Sequence, residues 1–211
     1  MSGAEFELKS SEEEVHQWTD LGELSSMAVK AGAFSGESNG ALIIAGGIEG
    51  ELIQTSIIVL ERNADPKYNI YSSFKLDYPL AYGATVPFDK GLLCIGGRDE
   101  KKSYSDVFLL TWDPVNKKID KQEFPSLPGP RSYSAAAIIG GSVFVAGGID
   151  SLRNPQALNN FWSLDLSSKD NRWEILETWP GPARMHAVAT VQHDGFYENL
   201  YLTSGLEITN I

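Results

Sequence analysis

The chain has 211 residues, of which 42% are hydrophobic, and this is enough to bury a sizeable core. Twenty glycines and ten prolines, with little helical periodicity, indicate an all-β protein rich in turns. The 28 acidic and 17 basic side chains give a formal charge of −11. That balance argues against nucleic acid or an anionic membrane as the main partner.

The N-terminal stretch resembles two short strands joined by a polar turn. Glu5–Leu8 alternates polar and apolar residues, Ser10–Glu14 is charged, and Trp18 opens the next segment. The same order of features recurs at Phe161–Trp173. We therefore expect the N-terminus to form the outer half of a four-stranded sheet. Arg184–Gly205 is the stretch that could supply the inner half and remove an exposed edge.

Targeting signals are not visible in the sequence. The start of the chain has no basic segment followed by an apolar one, so no signal peptide is predicted. No apolar run approaches the roughly 18 residues of a membrane span. The sequence as written predicts a cytoplasmic protein, or a periplasmic one if the natural N-terminus lies further upstream.

An apolar run closed by glycines recurs four times along the chain. The copies are Ala41–Glu49, Gly91–Asp99, Gly141–Asp150 and a weaker one at Leu200–Glu207. The second glycine of each copy, or its equivalent, follows the previous one after 50, 51 and 57 residues. Runs this short and apolar on both faces favour strands sandwiched between neighbouring sheets. The period of about 50 residues indicates a repeat architecture.

In chain order, the first complete unit has its inner strand at Ala31–Phe34, a turn at Gly36–Gly40 and a third strand at Thr55–Leu60. The later units follow the same plan. Their predicted segments are Tyr82–Thr85 for the second, Pro128–Ala137, Phe161–Leu166 and Trp173–Leu176 for the third, and Trp179–Thr190 for the fourth.

The glycine pairs, the entries at Pro130–Arg131 and Pro182–Arg184, and Trp173 resemble kelch repeats over nearly the whole chain. The resemblance implies an all-β fold, a kelch-type β-propeller of four-stranded antiparallel blades. About four blades are present, in a single domain that comprises residues 1–211.

A narrower resemblance concerns the N-acetylneuraminate epimerases, or sialic-acid mutarotases, in their cyclically permuted branch. Ala31–Gly47 and Leu80–Gly97 are similar to consecutive blades of that family. The resemblance implies a six-bladed parent, no metal or organic cofactor, and interconversion of the α and β anomers of N-acetylneuraminate. The family's proposed base is a glutamate in a later blade, which would come after Ile211. Glu207 follows Gly205 in a different blade, so no catalytic residue is assigned.

Two architectures remain open. The chain is either a piece of a six-bladed ring or a four-bladed ring closed by its two terminal half-blades. A piece would expose apolar blade faces and self-associate. The loop Ile48–Gln54 is shorter than the corresponding loop of the family, which bears on how a sugar would be held.

Three arginines are the candidate substrate-binding residues. Arg98 follows the second glycine pair, and Arg131 and Arg184 lie at blade entries. A guanidinium binds a sugar carboxylate bidentately, so each could hold the substrate at the hub. The alternative is that these side chains cap backbone carbonyls between blades.

The histidines, the cysteine and three of the tryptophans are expected to have structural roles. His186 lies at the start of an inner strand, in line with Ser134 and Gly83, and is expected to pack or bond between blades. His16 and His193 lie in polar surroundings, and three scattered histidines form no metal-binding pattern. Cys94 lies in an apolar strand and is expected to be a buried hydrophobe. Trp112, Trp162 and Trp173 are expected in the core.

Two functions therefore remain as hypotheses. One is a sialic-acid mutarotase, an isomerase of carbohydrate metabolism whose partner is a small sugar acid. The other is a non-catalytic kelch propeller that binds a protein. In the second case the binding loops are expected at Ile48–Gln54, Arg98–Ser103 and Asp150–Asn159.

Overall fold

A computed structural model describes residues 30–62, 68–168 and 170–208 of the chain. The strands predicted at Glu5–Leu8 and around Trp18, as well as His16, lie outside the described residues. Within the described ranges the regular structure is entirely β. No helix there has the length and apolar character of a membrane span.

Three antiparallel sheets of four strands form the body of the molecule. In each sheet the strands lie side by side in the order in which they occur along the chain, except that a short hairpin is inserted within the first sheet's sequence. The first blade consists of β1 (Phe34–Ser38), β2 (Ala41–Ala45), β5 (Ser56–Arg62) and β6 (Tyr68–Lys75). The second consists of β7 (Ala84–Phe88), β8 (Gly91–Ile95), β9 (Val107–Asp113) and β10 (Lys118–Phe124). The third consists of β11 (Ala135–Ile139), β12 (Ser142–Ala146), β13 (Phe161–Asp165) and β14 (Glu174–Leu176).

Two smaller sheets complete the described structure. β3 (Ile48–Glu49) and β4 (Leu52–Ile53) form a short hairpin inserted between β2 and β5. β15 (Val188–His193) and β16 (Glu198–Thr203) form a hairpin that corresponds to the inner half of a fourth blade. The inner strands β1, β7, β11 and β15 contact one another in succession. These antiparallel blades confirm the predicted all-β, kelch-type propeller fold.

Tight two-residue turns join the two innermost strands of each complete blade. The turn residues have positive φ in all three blades: Asn39-Gly40, Asp89-Lys90 and Gly140-Gly141. Consecutive positive φ values are the mark of a type I′ turn, whose twist matches that of the flanking strands. The prediction of a turn over Gly36–Gly40 was too long, because Gly36 lies within β1 and pairs with Ile43.

The predicted inner strand at Ala31–Phe34 was also displaced. The strand begins at Phe34, because Gly32 has a φ of 64° and cannot continue an extended strand. This left-handed residue recurs at each blade entry and proves important for the site.

The core lies between blades, and β8 shows how it forms. All five residues of β8 are buried. Leu92 and Cys94 belong to the cluster shared with the first blade, whereas Leu93 and Ile95 belong to the cluster shared with the third. The strand is apolar on both faces because each face packs against a different sheet.

The predicted core roles of the tryptophans and of Cys94 agree with this arrangement. Trp112 and Trp162 are 0% and 4% exposed, and Trp173 is partly buried against the second cluster. Burial raises the pKa of the Cys94 thiol well above its usual value, which makes it a poor nucleophile. The prediction that residues 1–211 form one domain stays a prediction.

Candidate functional site

A left-handed residue stands at the entry of every blade, and these residues are joined by hydrogen bonds. Gly32, Tyr82, Tyr133 and His186 have φ between 54° and 64°. The N–H of Tyr82 donates to the carbonyl of Gly32 (2.8 Å), that of Tyr133 to Tyr82 (2.7 Å), and that of His186 to Tyr133 (2.9 Å). This ladder runs around the hub and holds the ends of adjacent inner strands in register.

The side chains of the last three ladder residues pack on one another as a stack of tilted rings, with interplanar angles of 37° and 48°. The ring centroids of Tyr82 and Tyr133 are 4.7 Å apart, and those of Tyr133 and His186 are 4.3 Å apart. Gly32, the first of the series, leaves space for this stack, because a Cβ there would lie 2.5 Å from the Tyr82 ring. The four blade entries therefore place two phenols and one imidazole together at the hub.

Arg98 lies over this stack. Its guanidinium carbon is 5.2 Å from the centroid of Tyr82 and 5.6 Å from that of Tyr133. Its Nε donates to the Tyr133 hydroxyl (2.7 Å), and one terminal nitrogen donates to the Asp99 carbonyl (3.1 Å). We call Tyr82, Arg98, Tyr133 and His186 the hub cluster. Cation–π contact and the hydrogen bonds hold the half-buried guanidinium in a fixed orientation.

The glycine pair explains why Arg98 reaches this place. The N–H of Gly97 donates to the Arg131 carbonyl (2.7 Å), and a Cβ on Gly96 would collide with the same oxygen. The close approach continues at Arg98, whose backbone bridges to Ala81 just before Tyr82. A side chain at this point of the repeat therefore projects beside the hub ladder.

Arg98 is the chemical exception at its position in the repeat. The residues that make the same bridge in the other blades are Ile48, Ile149 and Leu206, all apolar. An arginine at a place otherwise filled by aliphatic residues is not required by the repeat itself. Arg98 is therefore the candidate ligand-binding residue of the hub cluster.

Loops follow the glycine pairs of the three complete blades, and the second of these loops contains Arg98. We call residues 48–54, 98–103 and 150–159 the mouth loops. In the second, the Asp99 carboxylate accepts hydrogen bonds from the N–H groups of Lys101 and Lys102 and from the Tyr104 hydroxyl. Burial alone would raise the pKa of Asp99, but these hydrogen bonds outweigh it and lower that pKa. The first two loops are joined where Ile53 N–H donates to Glu100.

Arg131 lies in different surroundings from Arg98. It is 4% exposed, and its guanidinium lies 4.2 Å from the centroid of Trp162. Its terminal nitrogens donate to the Pro130 carbonyl (2.7 Å) and the Asn160 side chain (2.8 Å). Burial lowers the pKa of Arg131 to about 10. The structure thus places Arg131 as a cap between blade segments, and its predicted role in substrate binding stays a prediction.

Arg184 occupies the position of Arg131 in the following blade. One of its terminal nitrogens donates to the Ser204 carbonyl (2.8 Å). The side chain also lines an apolar cavity beside Leu200 and Leu202. The structure does not bring Arg131 or Arg184 into the hub cluster, so the three predicted arginines do not form one site.

Sequence reasoning missed the two tyrosines and aligned His186 one residue out of register. His186 corresponds to Tyr133 and Tyr82, not to Ser134 and Gly83, because the positive φ and the ladder bonds fall on the former residues. The available signal was spacing, since the four ladder positions are 50, 51 and 53 residues apart. This spacing signal was weak because the four positions carry three different residue types: glycine, tyrosine and histidine. His193, as expected, lies on the exposed hairpin, where its Nδ1 accepts from Gly195.

The hub cluster offers a fixed cation, two hydroxyls and an imidazole on a rigid frame. This set suits a ligand that carries a carboxylate and a flat or apolar face. Within residues 30–62, 68–168 and 170–208, no group of three or more histidine, cysteine, aspartate or glutamate residues is arranged to hold a metal ion.

A kelch motif model matches residues 130–178, which contain all four strands of the third blade. The third blade carries a kelch motif. The match supports a kelch-repeat family for this chain, in agreement with the blade architecture. It does not distinguish the narrower N-acetylneuraminate epimerase resemblance, which stays a prediction.

One relative is a far larger protein. The chain is 27% identical over 142 residues to the dynein alpha chain of the flagellar outer arm from Chlamydomonas reinhardtii. The similarity covers 63% of this chain and 3% of that protein. The matched segment is thus a small part of the relative's length.

Proposed function

We propose that this chain is a protein-interaction module that binds its partner at the hub cluster and the mouth loops. The observation that carries the proposal is Arg98, a preoriented cation at a repeat position where the other blades have isoleucine or leucine. A carboxylate of the partner, from Asp, Glu or a C-terminus, would pair with the guanidinium. Tyr82 and Tyr133 would provide the flat contact area that is common in protein interfaces.

The surroundings of Arg98 support a macromolecular partner. Leu52, at the tip of the β3–β4 hairpin, is 66% exposed, and Glu100 and Lys101 are exposed on the neighbouring loop. A surface that combines an aliphatic tip, mixed charge and a central arginine–aromatic cluster has the usual composition of a transient interface.

Affinity capture with quantitative mass spectrometry tests the proposal. The Arg98→Ile variant installs the residue of the first and third blades and should lose at least 10-fold of the specific partner signal. Arg172→Ala, an exposed arginine between β13 and β14 and outside the mouth loops, is the matched control and should retain it. Equal capture by wild type and Arg98→Ile would contradict the proposal.

A second candidate function is the sialic-acid mutarotase activity. The observation that favours it is that a carboxylate partner, Arg98 of the second blade, and an imidazole, His186 at the entry of the fourth, both contact the Tyr133 ring. Opening and closing a sugar ring requires an acid and a base near the anomeric carbon, and histidine and tyrosine can both transfer protons. No base is assigned, and the substrate would be N-acetylneuraminate.

Following the anomers of freshly released α-N-acetylneuraminate by NMR separates the two candidates. An enzyme should speed equilibration in proportion to protein concentration, and His186→Ala should abolish the gain. Equilibration at the spontaneous rate, together with Arg98-dependent capture of a protein, would leave the interaction module as the function.

A further inference from the structure

A polar pocket of about 500 Å³ lies on the outer half of the third blade. Part of its wall is the sheet face formed by β12, β13 and β14, and the rest comes from the connection between β13 and β14. A pocket of this size can hold a small organic molecule. None of its lining residues belongs to the hub cluster or the mouth loops, so the pocket is separate from the binding site proposed above.

Ser163, in the wall of this pocket, is the exception at its position in the repeat. It pairs with Phe144, which lies four places before the second glycine of its blade. Val59 and Leu109 make the equivalent pairings in the first and second blades, where both belong to the buried clusters between blades. Packing between blades therefore does not require a hydroxyl at this position.

The Ser163 hydroxyl is directed into the pocket. Trp162 and Leu164, its neighbours in β13, belong to the cluster shared with the second blade, so Ser163 lies on the opposite face of the sheet. Ser163 is only 8% exposed and lines the pocket. Within residues 30–62, 68–168 and 170–208, its hydroxyl has no hydrogen-bond partner. Because a buried hydroxyl is normally hydrogen-bonded, this one is suited to contact a ligand.

Carboxylates surround this hydroxyl on the same face of the sheet. Glu174 pairs directly with Ser163, and Asp165 pairs with Ser142 in the next row. Directly paired residues of an antiparallel sheet present their side chains on one face. Asp170 adds a third carboxylate from the connection between β13 and β14. The unpaired hydroxyl thus lies among acceptor groups.

The charge of the pocket is negative. Its lining contains three carboxylates and one guanidinium, that of Arg172. Hydrogen bonds from the hydroxyl and the N–H of Ser167 lower the pKa of Asp165, which keeps this carboxylate ionised at neutral pH. Among the described residues no three acidic, histidine or cysteine side chains are arranged to hold a metal ion. Carboxylates spread around a pocket suit a ligand whose positive charges are also spaced apart.

We propose that this pocket binds an alkylammonium ligand. An ammonium group has three donors and no acceptor, which matches a wall of carboxylate oxygens with an unpaired hydroxyl. Glu174 and Asp165 would accept from the ammonium groups, and Ser163 would accept between them. The Trp173 ring at the same wall would add cation–π attraction. A polyamine carries several such groups on one chain, and a lysine side chain of a partner protein carries one.

Isothermal titration calorimetry with spermidine tests the proposal. Wild type should bind spermidine saturably at one site. Ser163→Val installs the residue of the first blade and should raise the Kd at least fivefold, because it replaces the hydroxyl by an aliphatic group. Glu174→Gln keeps the shape of the side chain and should raise the Kd at least fivefold through the loss of charge. Glu177→Gln, an exposed glutamate just beyond β14 and outside the pocket, is the matched control and should change the Kd less than twofold.

The formal charge of −11 attracts any polyamine, so the comparison between the two glutamates is decisive. Equal weakening by Glu174→Gln and Glu177→Gln, or binding that does not saturate, would overturn the proposal. Equally tight binding of sorbitol, a neutral polyol, would also overturn it. The Arg98→Ile variant should bind spermidine as wild type does, which separates this pocket from the hub cluster.

A second titration distinguishes the two sources of the ammonium group. Nα-acetyl-lysine methylamide represents a lysine side chain of a partner protein. A Kd at least tenfold weaker than that of spermidine assigns the pocket to a free polyamine, whereas an equal Kd assigns it to a lysine side chain. In both cases Glu174→Gln should weaken the binding, and an unchanged Kd for that variant would contradict the assignment.

Discussion

The two blade interfaces on either side of the third blade are built from the same repeat but differ in burial. Between the second and third blades, Val143 and Val145 are 0% and 1% exposed. At the other interface, Leu200 and Leu202 occupy the same positions in β16 and remain partly exposed. The difference follows from what lies outside each strand: β13 with Trp162 covers β12, whereas β16 has no such cover among the described residues. The burial of these two positions therefore follows the presence of a covering strand.

The largest expected effect concerns Trp162, which fills the interface between the second and third blades. Trp162→Ala should lower the free energy of unfolding by about 3–5 kcal/mol, because it empties the cluster and uncovers Arg131. Trp179→Ala, at the partly exposed equivalent interface, should cost less than about 1.5 kcal/mol. Urea denaturation of both variants measures the difference, and equal costs would break the comparison.

Two reasons for glycine, a close contact with the neighbouring blade and a left-handed backbone conformation, can be tested separately. Gly96 and Gly140 have φ of 60° and 57°, but only at Gly96 would a Cβ collide with a neighbour, the Arg131 carbonyl. Gly140→Ala should therefore cost about 1 kcal/mol, for the left-handed conformation alone. Gly96→Ala should cost about 2–4 kcal/mol, since the blades must also move apart. A similar cost for both would show that blade contact is unimportant there.

A buried and an exposed arginine are expected to contribute differently to the stability of the third blade. Arg131→Ala should lower the free energy of unfolding by about 2–3 kcal/mol, because Asn160 and the Pro130 carbonyl lose a donor and Trp162 loses its stacking partner. Arg153→Ala, on an exposed loop, should change it by no more than about 0.5 kcal/mol. Chemical denaturation at neutral pH checks both, and a negligible effect at Arg131 would favour a ligand-binding role for that side chain.

The smallest effect is a pH dependence at Tyr104, whose ring stacks on Tyr78 beside the cluster shared by the first and second blades. Tyr104 and Leu158 occupy the same place, since each carbonyl accepts from the next blade-entry arginine. Burial and the hydrogen bond to Asp99 raise the pKa of Tyr104 to about 12. A raised pKa gives stability that is present below about pH 10 and is lost as pH rises towards 12. Denaturation midpoints from pH 9 to 12 should therefore converge for wild type and Tyr104→Phe, and a constant difference would contradict the assignment.

Much of the fold could be predicted from the sequence because the glycine pairs recur at a regular spacing. Gly47, Gly97 and Gly148 donate their N–H groups to the next blade entry, and a Cβ on the glycine before each would collide with the same carbonyl. Only glycine meets this demand, so the residue recurs with the period of the fold. Strand boundaries were less predictable, as at Ala31–Phe34, because alternation does not reveal a left-handed residue.

The hub cluster could not be predicted in the same way. The ladder positions share a backbone conformation, and tyrosine or histidine there is not distinctive in a single sequence. Arg98, Arg131 and Arg184 looked alike for a similar reason. What separates them is the tertiary neighbour: a tyrosine pair for Arg98, a buried tryptophan for Arg131 and a cavity for Arg184.

The most direct test of the central claim is an NMR titration of the arginine Nε–H signals, with Arg98 assigned from the Arg98→Ile variant. A short peptide with two glutamates supplies the carboxylate, and N-acetylneuraminate is added in a parallel titration. The account predicts that the Arg98 signal shifts and saturates while the buried Arg131 signal stays in place. An unmoved Arg98 signal, or equal shifts at both arginines, would contradict it.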